Sequence, residues 1–144
     1  MEQSASVREA LLTFYERFSA GNVDDFAQSI ASWPDAFVIG TGPTEWQDGR
    51  ATWIAGYEMQ ITAIPGVRME AGNVRAYAEG TLGFAADQPT FVLPNGLTIP
   101  VRLTAVLRLE GDSWKLLNAH FSAGVPDEVL IDLASRGMSE QPDH

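Results

Sequence analysis

The chain contains no cysteine in its 144 residues. Disulfides, a thiol nucleophile and thiolate metal ligation are therefore excluded. Basic residues are scarce: 9 Lys and Arg stand against 19 Asp and Glu, a formal net charge of −10 at pH 7. Nucleic acid and anionic membrane both require a basic face, so this balance argues against either as a partner. Histidine is almost missing, with His120 the one internal example. No His/Asp/Glu cluster has metal spacing, and Gly40-Thr41-Gly42 lacks a phosphate-loop lysine, so no metal and no cofactor is expected. No apolar run reaches the length of a membrane span. Met1 to Val7 is polar, unlike a secretion signal. The expected location is cytoplasmic.

What the chain has is apolar content and turn punctuation. Hydrophobic residues make up 45%, enough for one domain over 1–144 with a real core. Val7, Leu11, Phe14 and Phe18 recur at helical spacing and predict a helix over 6–20, ended by Gly21. Asn22 caps a second, shorter helix over 23–32, which Trp33-Pro34 stops. A short strand over 36–41 and a loop over 42–47 follow. Asp48 caps a third helix to about Ile64, which Pro65-Gly66 breaks. From Val67 to Ala123 the pattern is strand and turn. A short helix is expected over 127–135, and Glu140 to His144 reads as a frayed end. Helices first and a curled antiparallel sheet second give an α+β fold.

The turns set a register. A two-residue turn at Gly111-Asp112 opposes Glu110 with Ser113. Directly opposed residues share a face, so Leu103, Ala105, Leu107, Leu109, Trp114, Leu116, Asn118 and His120 point inward. A two-residue turn at Asn95-Gly96 adds Gln88 beside Leu103 and Ala86 beside Ala105. These rows enclose a cavity floored by small residues and edged by Gln88, Asn118 and His120. Pro89 marks a place for a bulge. Val106, Leu117, Ala119 and Phe121 then fall on the outer face, which is too apolar for water and is expected to join two copies into a homodimer.

His120 is the candidate catalytic residue, because imidazole exchanges protons near neutrality. The other reading is a buried histidine bonded to Asn118 or Gln88. Trp33, Trp46, Trp53 and Tyr57 offer an aromatic lining, with Trp46 in a loop near the mouth. Asp35 and Glu45 are carboxylates placed to reach that mouth. Asp48 reads as a cap, and Asp87 as an outer-face partner of Arg102.

Several segments carry a resemblance. Phe14 to Asp24 resembles the opening helix and small-Gly-Asn-hydrophobic-Asp step of the nuclear transport factor 2-like superfamily. Asp35-Ala36-Phe37-Val38 is similar to its first strand, and Asp48-Gly49-Arg50 to the start of its third helix. Trp114 to Ser122 resembles the last strand of the SnoaL-like branch. The resemblance implies a cone, a curved sheet wrapped around about three helices with a pocket between them. Ketosteroid isomerases of this superfamily carry a tyrosine and two aspartates where this chain has Phe14, Gly40 and Ala105, so their chemistry is not implied. Epoxide-hydrolase-like members use aspartates and an arginine inside the cone, whereas Asp87 and Arg102 read as outer-face residues here. SnoaL-like cyclases use a pocket aspartate; here the inward polar groups are Asn118 and His120.

Three functions follow. The first is binding of a hydrophobic small molecule through Asn118, His120, Gln88, Trp46, Trp53, Tyr57 and Phe14, with cofactor-free isomerase, cyclase or dehydratase chemistry at His120. The second is a non-catalytic ligand sensor or carrier. The third is a dimeric assembly domain.

Overall fold

The computed structural model describes residues 1–139; the end from Glu140 to His144 lies outside them. Helix α1 (Ala5–Ala20) starts at Ser4, whose hydroxyl accepts from the Val7 amide, and stops at Gly21 in the left-handed region. Its buried stripe is Val7, Leu11, Phe14, Tyr15 and Phe18, as the helical spacing predicts. Helix α2 (Val23–Ala27) is capped by Asn22. It ends before the expected Ser32 because the chain turns there, and Ile30 forms a bridge with Leu116. Strand β2 (Phe37–Ile39) is followed by β3 (Trp46–Gln47), within the segment expected to be loop. Gly49, at φ 99, takes the cap position of α3 (Arg50–Ala63) that was expected of Asp48. Only glycine adopts that backbone without strain.

The remaining strands are β4 (Arg68–Glu70), β5 (Arg75–Glu79), β6 (Leu82–Asp87), β7 (Thr90–Val92), β8 (Thr98–Pro100), β9 (Arg102–Glu110) and β10 (Ser113–Ser122). With β1 (Glu2–Gln3) they form a seven-stranded sheet in the order β1-β5-β6-β9-β10-β2-β3 and a three-stranded sheet in the order β4-β7-β8. All pairs are antiparallel except β2 with β10, so the sheet is mixed. The two sheets are joined where Pro89 interrupts the ladder. Its carbonyl accepts from the Val101 amide at 3.0 Å, but a proline cannot donate in return. Helix α4 (Asp127–Ser139) ends the described chain and is exposed over 127–137. Among the described residues no helix is long and apolar enough to cross a membrane.

The final hairpin keeps the expected register only as far as Leu116. Glu110 opposes Ser113 and Leu107 opposes Leu116, but beyond Leu117 the register shifts, so that Asn118 opposes Val106 and His120 opposes Thr104. A bulge residue places two residues against one and reverses every later side chain. Ala119 and Phe121 therefore point inward and are buried, while His120 is exposed on the outer face. The bulge falls where β10 changes its other neighbour. Leu116 exchanges backbone bonds with Ser29 and Ala31, and from Asn118 onward β2 takes over.

The Asn95-Gly96 turn is also one residue longer than expected. The Leu93 amide donates to the Leu97 carbonyl, closing a three-residue loop, and the Asn95 side chain accepts from the Leu97 amide. Gly96 at φ 88 supplies the left-handed residue that ends such a loop. The shift exchanges the faces of β6. Gln88 becomes exposed and Asp87 becomes buried, the reverse of the sequence expectation. Asp87 accepts from the Tyr15 hydroxyl at 2.8 Å, the Gly72 amide at 3.1 Å and its neighbour's amide, that of Gln88, at 2.8 Å. Arg102 bonds instead to Ser122.

Across the middle of the sheet Ala76, Ala85, Ala105 and Ala119 form one inward row. The small side chains admit α1, which packs on β5, β6 and β10. The room expected for a ligand over these alanines is thus filled by α1, and Phe14, 1% exposed, is core against Phe26. Tyr15→Phe removes one bond to a buried carboxylate and is expected to lower stability by about 1–3 kcal/mol, read as a shift of the urea midpoint without a change of slope.

Candidate functional site

The cavity lies at the other end of the cone, between α3, the inner face of β2 and β10, and the β7–β8 hairpin. It has a volume of about 520 Å³. Helix α3 presents Trp53, Gly56, Tyr57 and Gln60 to it, a spacing of three and four residues that lines one helix face. The helix is held in place from its first residue. Arg50 donates to the carbonyls of Ala31 and Ala27 at 2.9 and 3.0 Å, satisfying backbone acceptors at and after the end of α2. The Tyr57 hydroxyl donates to the Phe18 carbonyl at 2.7 Å. Burial pushes this hydroxyl above its ordinary pKa, opposed in part by the Gly21 backbone. Tyr57 is therefore a fixed, protonated donor.

Rings make up one continuous wall. Phe26 stacks on Tyr57 with centroids 3.8 Å apart, Phe18 lies 5.5 Å from Tyr57 and 5.7 Å from Phe91, and Phe91 lies 5.8 Å from Phe121. The polar groups gather at the mouth. Gln47 enters from β3, over Gly56, where a Cβ would stand 3.0 Å from its amide. Glu45 comes from the β2–β3 loop, which folds back on itself. The Gly40 amide donates to the Glu45 carbonyl at 2.6 Å, and the Gly42 amide to the Glu45 carboxylate at 3.1 Å. Among the described residues, no Lys, Arg or His lines the cavity.

The expected site residues divide. Trp53 and Tyr57 line the cavity, and of the two carboxylates only Glu45 does. Phe14 is core. Gln88 and His120 are exposed on the outer face. Asn118 is also turned away from the cavity and donates to the Phe37 carbonyl at 3.0 Å. Trp46 is 60% exposed and stacks on Phe37 with centroids 6.1 Å apart, outside the sheet. Trp33 is exposed and does not line the cavity. Sequence reasoning missed Phe18, Phe26, Phe91 and Phe121 because helical and strand periodicity mark a buried side chain without saying whether it meets protein or empty space. A signal for Phe121 was present: an unbulged β10 would bury Asn118 and His120 and expose Ala119 and Phe121, which polarity alone disfavours.

A cone of this kind, with its cavity between a curved sheet and helices, defines the class to which the chain is similar. The sequence pattern of the SnoaL-like domain matches residues 7–127, and the chain belongs to that family. No curated protein matches the sequence. Among solved structures, a nuclear transport factor 2-like protein of unknown function from Pseudomonas putida superposes with TM-score 0.76 at 16% identity, over 88% of this chain and 93% of that one. A protein of unknown function with a cystatin-like fold from Nostoc punctiforme gives 0.71 at 15%, over 86% and 96%. One from Streptomyces avermitilis, provisionally named a dehydratase of the nuclear transport factor 2-like family, gives 0.74 at 19%, over 84% and 95%. At these identities the likeness establishes the fold alone.

The reversed faces of β10 predict opposite effects from adjacent residues. Phe121→Ala is expected to cost about 3–5 kcal/mol, and His120→Ala to change stability by no more than about 0.5 kcal/mol. Urea unfolding of the two variants checks this; the opposite ranking would place His120 inside.

Proposed function

We propose that this protein binds an apolar small molecule in the ring-lined cavity, as a carrier or sensor rather than as an enzyme. The observation that carries this reading is the composition of the walls. A volume of about 520 Å³ suits a ligand of drug size, and apolar walls with a few polar groups are what such sites use. Proton-transfer chemistry needs an acid and a base that change charge near neutrality. Among the described residues, Glu45 and Tyr57 are the titratable side chains along the walls, and the Tyr57 hydroxyl is committed to the Phe18 carbonyl. That leaves one carboxylate, exposed to water, without a partner to relay the proton. The dehydratase name of the Streptomyces relative supports a second reading, dehydration with Glu45 as both base and acid. Saturable binding without turnover separates the two.

The test uses the uncharged fluorescent probe N-phenyl-naphthylamine. The wild-type protein is expected to bind it saturably at one site. Ala63→Phe and Ile99→Glu, both at the mouth, are expected to weaken binding about tenfold while the thermal midpoint holds. Binding that ignores both changes overturns the reading.

We also propose a homodimer through the outer sheet face, with a patch different from the sequence expectation. Ala119 and Phe121 are buried inward and cannot contribute. One outward row instead runs Tyr77, Phe84, Val106, Asn118 and Phe37 across five strands, extended by Trp46 on Phe37. Antiparallel sheets normally leave a polar face to water, and this row is mostly aromatic and aliphatic. Val106→Glu is expected to shift the sedimentation coefficient from dimer to monomer at micromolar concentration. A wild-type monomer under the same conditions would remove the proposal.

A further inference from the structure

The cavity has a polarity of its own beyond being apolar. Its inner wall is the chain of rings from Phe26 through Tyr57, Phe18 and Phe91 to Phe121. Among the described residues, its mouth holds one charged side chain, the Glu45 carboxylate, and no cation. The rings take up an apolar body. The carboxylate attracts an ammonium where water still reaches it, so a charged head need not lose its whole hydration shell.

The loop is shaped to hold the carboxylate there. Glu45 accepts from the Gly42 amide at 3.1 Å. Gly40 lies directly beneath the side chain, and a Cβ at that position would stand 2.7 Å from the Glu45 Cβ and collide with its Oε2. The two glycines thus give the carboxylate a seat that any larger residue would fill. The formal net charge of −10 adds a field that draws cations and repels anions.

Resting on the binding function proposed above, we infer that the cavity selects amphiphilic cations: amines or quaternary ammonium compounds with an aromatic or alicyclic body. The body lies among the rings and the ammonium sits at Glu45. A neutral ligand of the same shape keeps the ring contacts and loses the charge contact. A carboxylate ligand meets repulsion at the mouth.

The test is a matched series in which one skeleton (phenylpropyl, naphthylmethyl or cyclohexylpropyl) carries an amine, an alcohol or a carboxylate. Binding is measured at pH 7 by calorimetry and by displacement of the uncharged probe. The amine is expected to bind about tenfold more tightly than the alcohol, with the carboxylate weakest. Glu45→Gln is expected to erase the amine's advantage and leave the alcohol unchanged. Gly40→Ala, which displaces the carboxylate without removing it, is expected to reduce that advantage. An alcohol that binds as well as the amine, or an advantage that survives Glu45→Gln, overturns the inference while the binding function stands. No binding by any member of the series while the probe still binds overturns the inference alone; no binding of the probe either overturns both.

Discussion

The bulge at Leu117 decides which side chains of the central strand reach the interior. Upstream of it, Leu116 points inward and is buried; downstream, Ala119 and Phe121 do so. Without the extra residue the strand would bring Asn118 and His120 inside in place of Ala119 and Phe121, and a polar group buried unpaired costs about 1–3 kcal/mol on mutational scales. The bulge also lets β10 serve two neighbours, first the Ser29–Ala31 segment and then β2. The parallel β2 pairing brings Val38 to the cavity and starts the loop that carries Glu45.

A second node acts at the other edge of the cone. Asp87 is a buried carboxylate with no cationic partner among the described residues, held by the Tyr15 hydroxyl and by two backbone amides. Burial and the adjacent carboxylate both push the Tyr15 hydroxyl far above its ordinary pKa, so it remains a donor across the working pH range. The contact ties α1 to β6 just before Pro89, where the sheet breaks and its three-stranded continuation begins. That continuation supplies Phe91 and Ile99 to the cavity wall. The same carboxylate holds Gly72, where a Cβ would run into the Gln88 backbone, and so fixes the chain between β4 and β5.

These two constraints divide the inner face into a packed half and an open half. Over the alanine row the helix α1 comes close and leaves no space. Toward Phe121, Val38 and Phe91 the facing element is α3, kept at its distance by Arg50 and by Tyr57 on the end of α1. The cavity is the gap between a helix anchored at its first residue and at its middle and a sheet that curves away from it. Its aromatic walls and single carboxylate are consequences of which side chains that gap happens to expose.

The sequence alone determined the four helices, the α1 stripe of Val7, Leu11, Phe14 and Phe18, the Gly111 turn, the α+β arrangement and the likeness to the SnoaL-like branch. These follow from local periodicity and turn chemistry, which act over a few residues. It placed Trp53 and Tyr57 on a common side of α3, facing inward. It did not determine which face of β10 or β6 is buried, because one inserted residue at Leu117 and one extra loop residue near Gly96 reverse a strand's faces without disturbing its alternation. Those two shifts moved His120 and Gln88 out and brought Phe121 and Asp87 in. The position of the cavity was likewise set by tertiary structure. Small residues such as Ala85 and Ala105 read equally as room for a ligand or room for a helix, and only the path of α1 across the sheet decides between them.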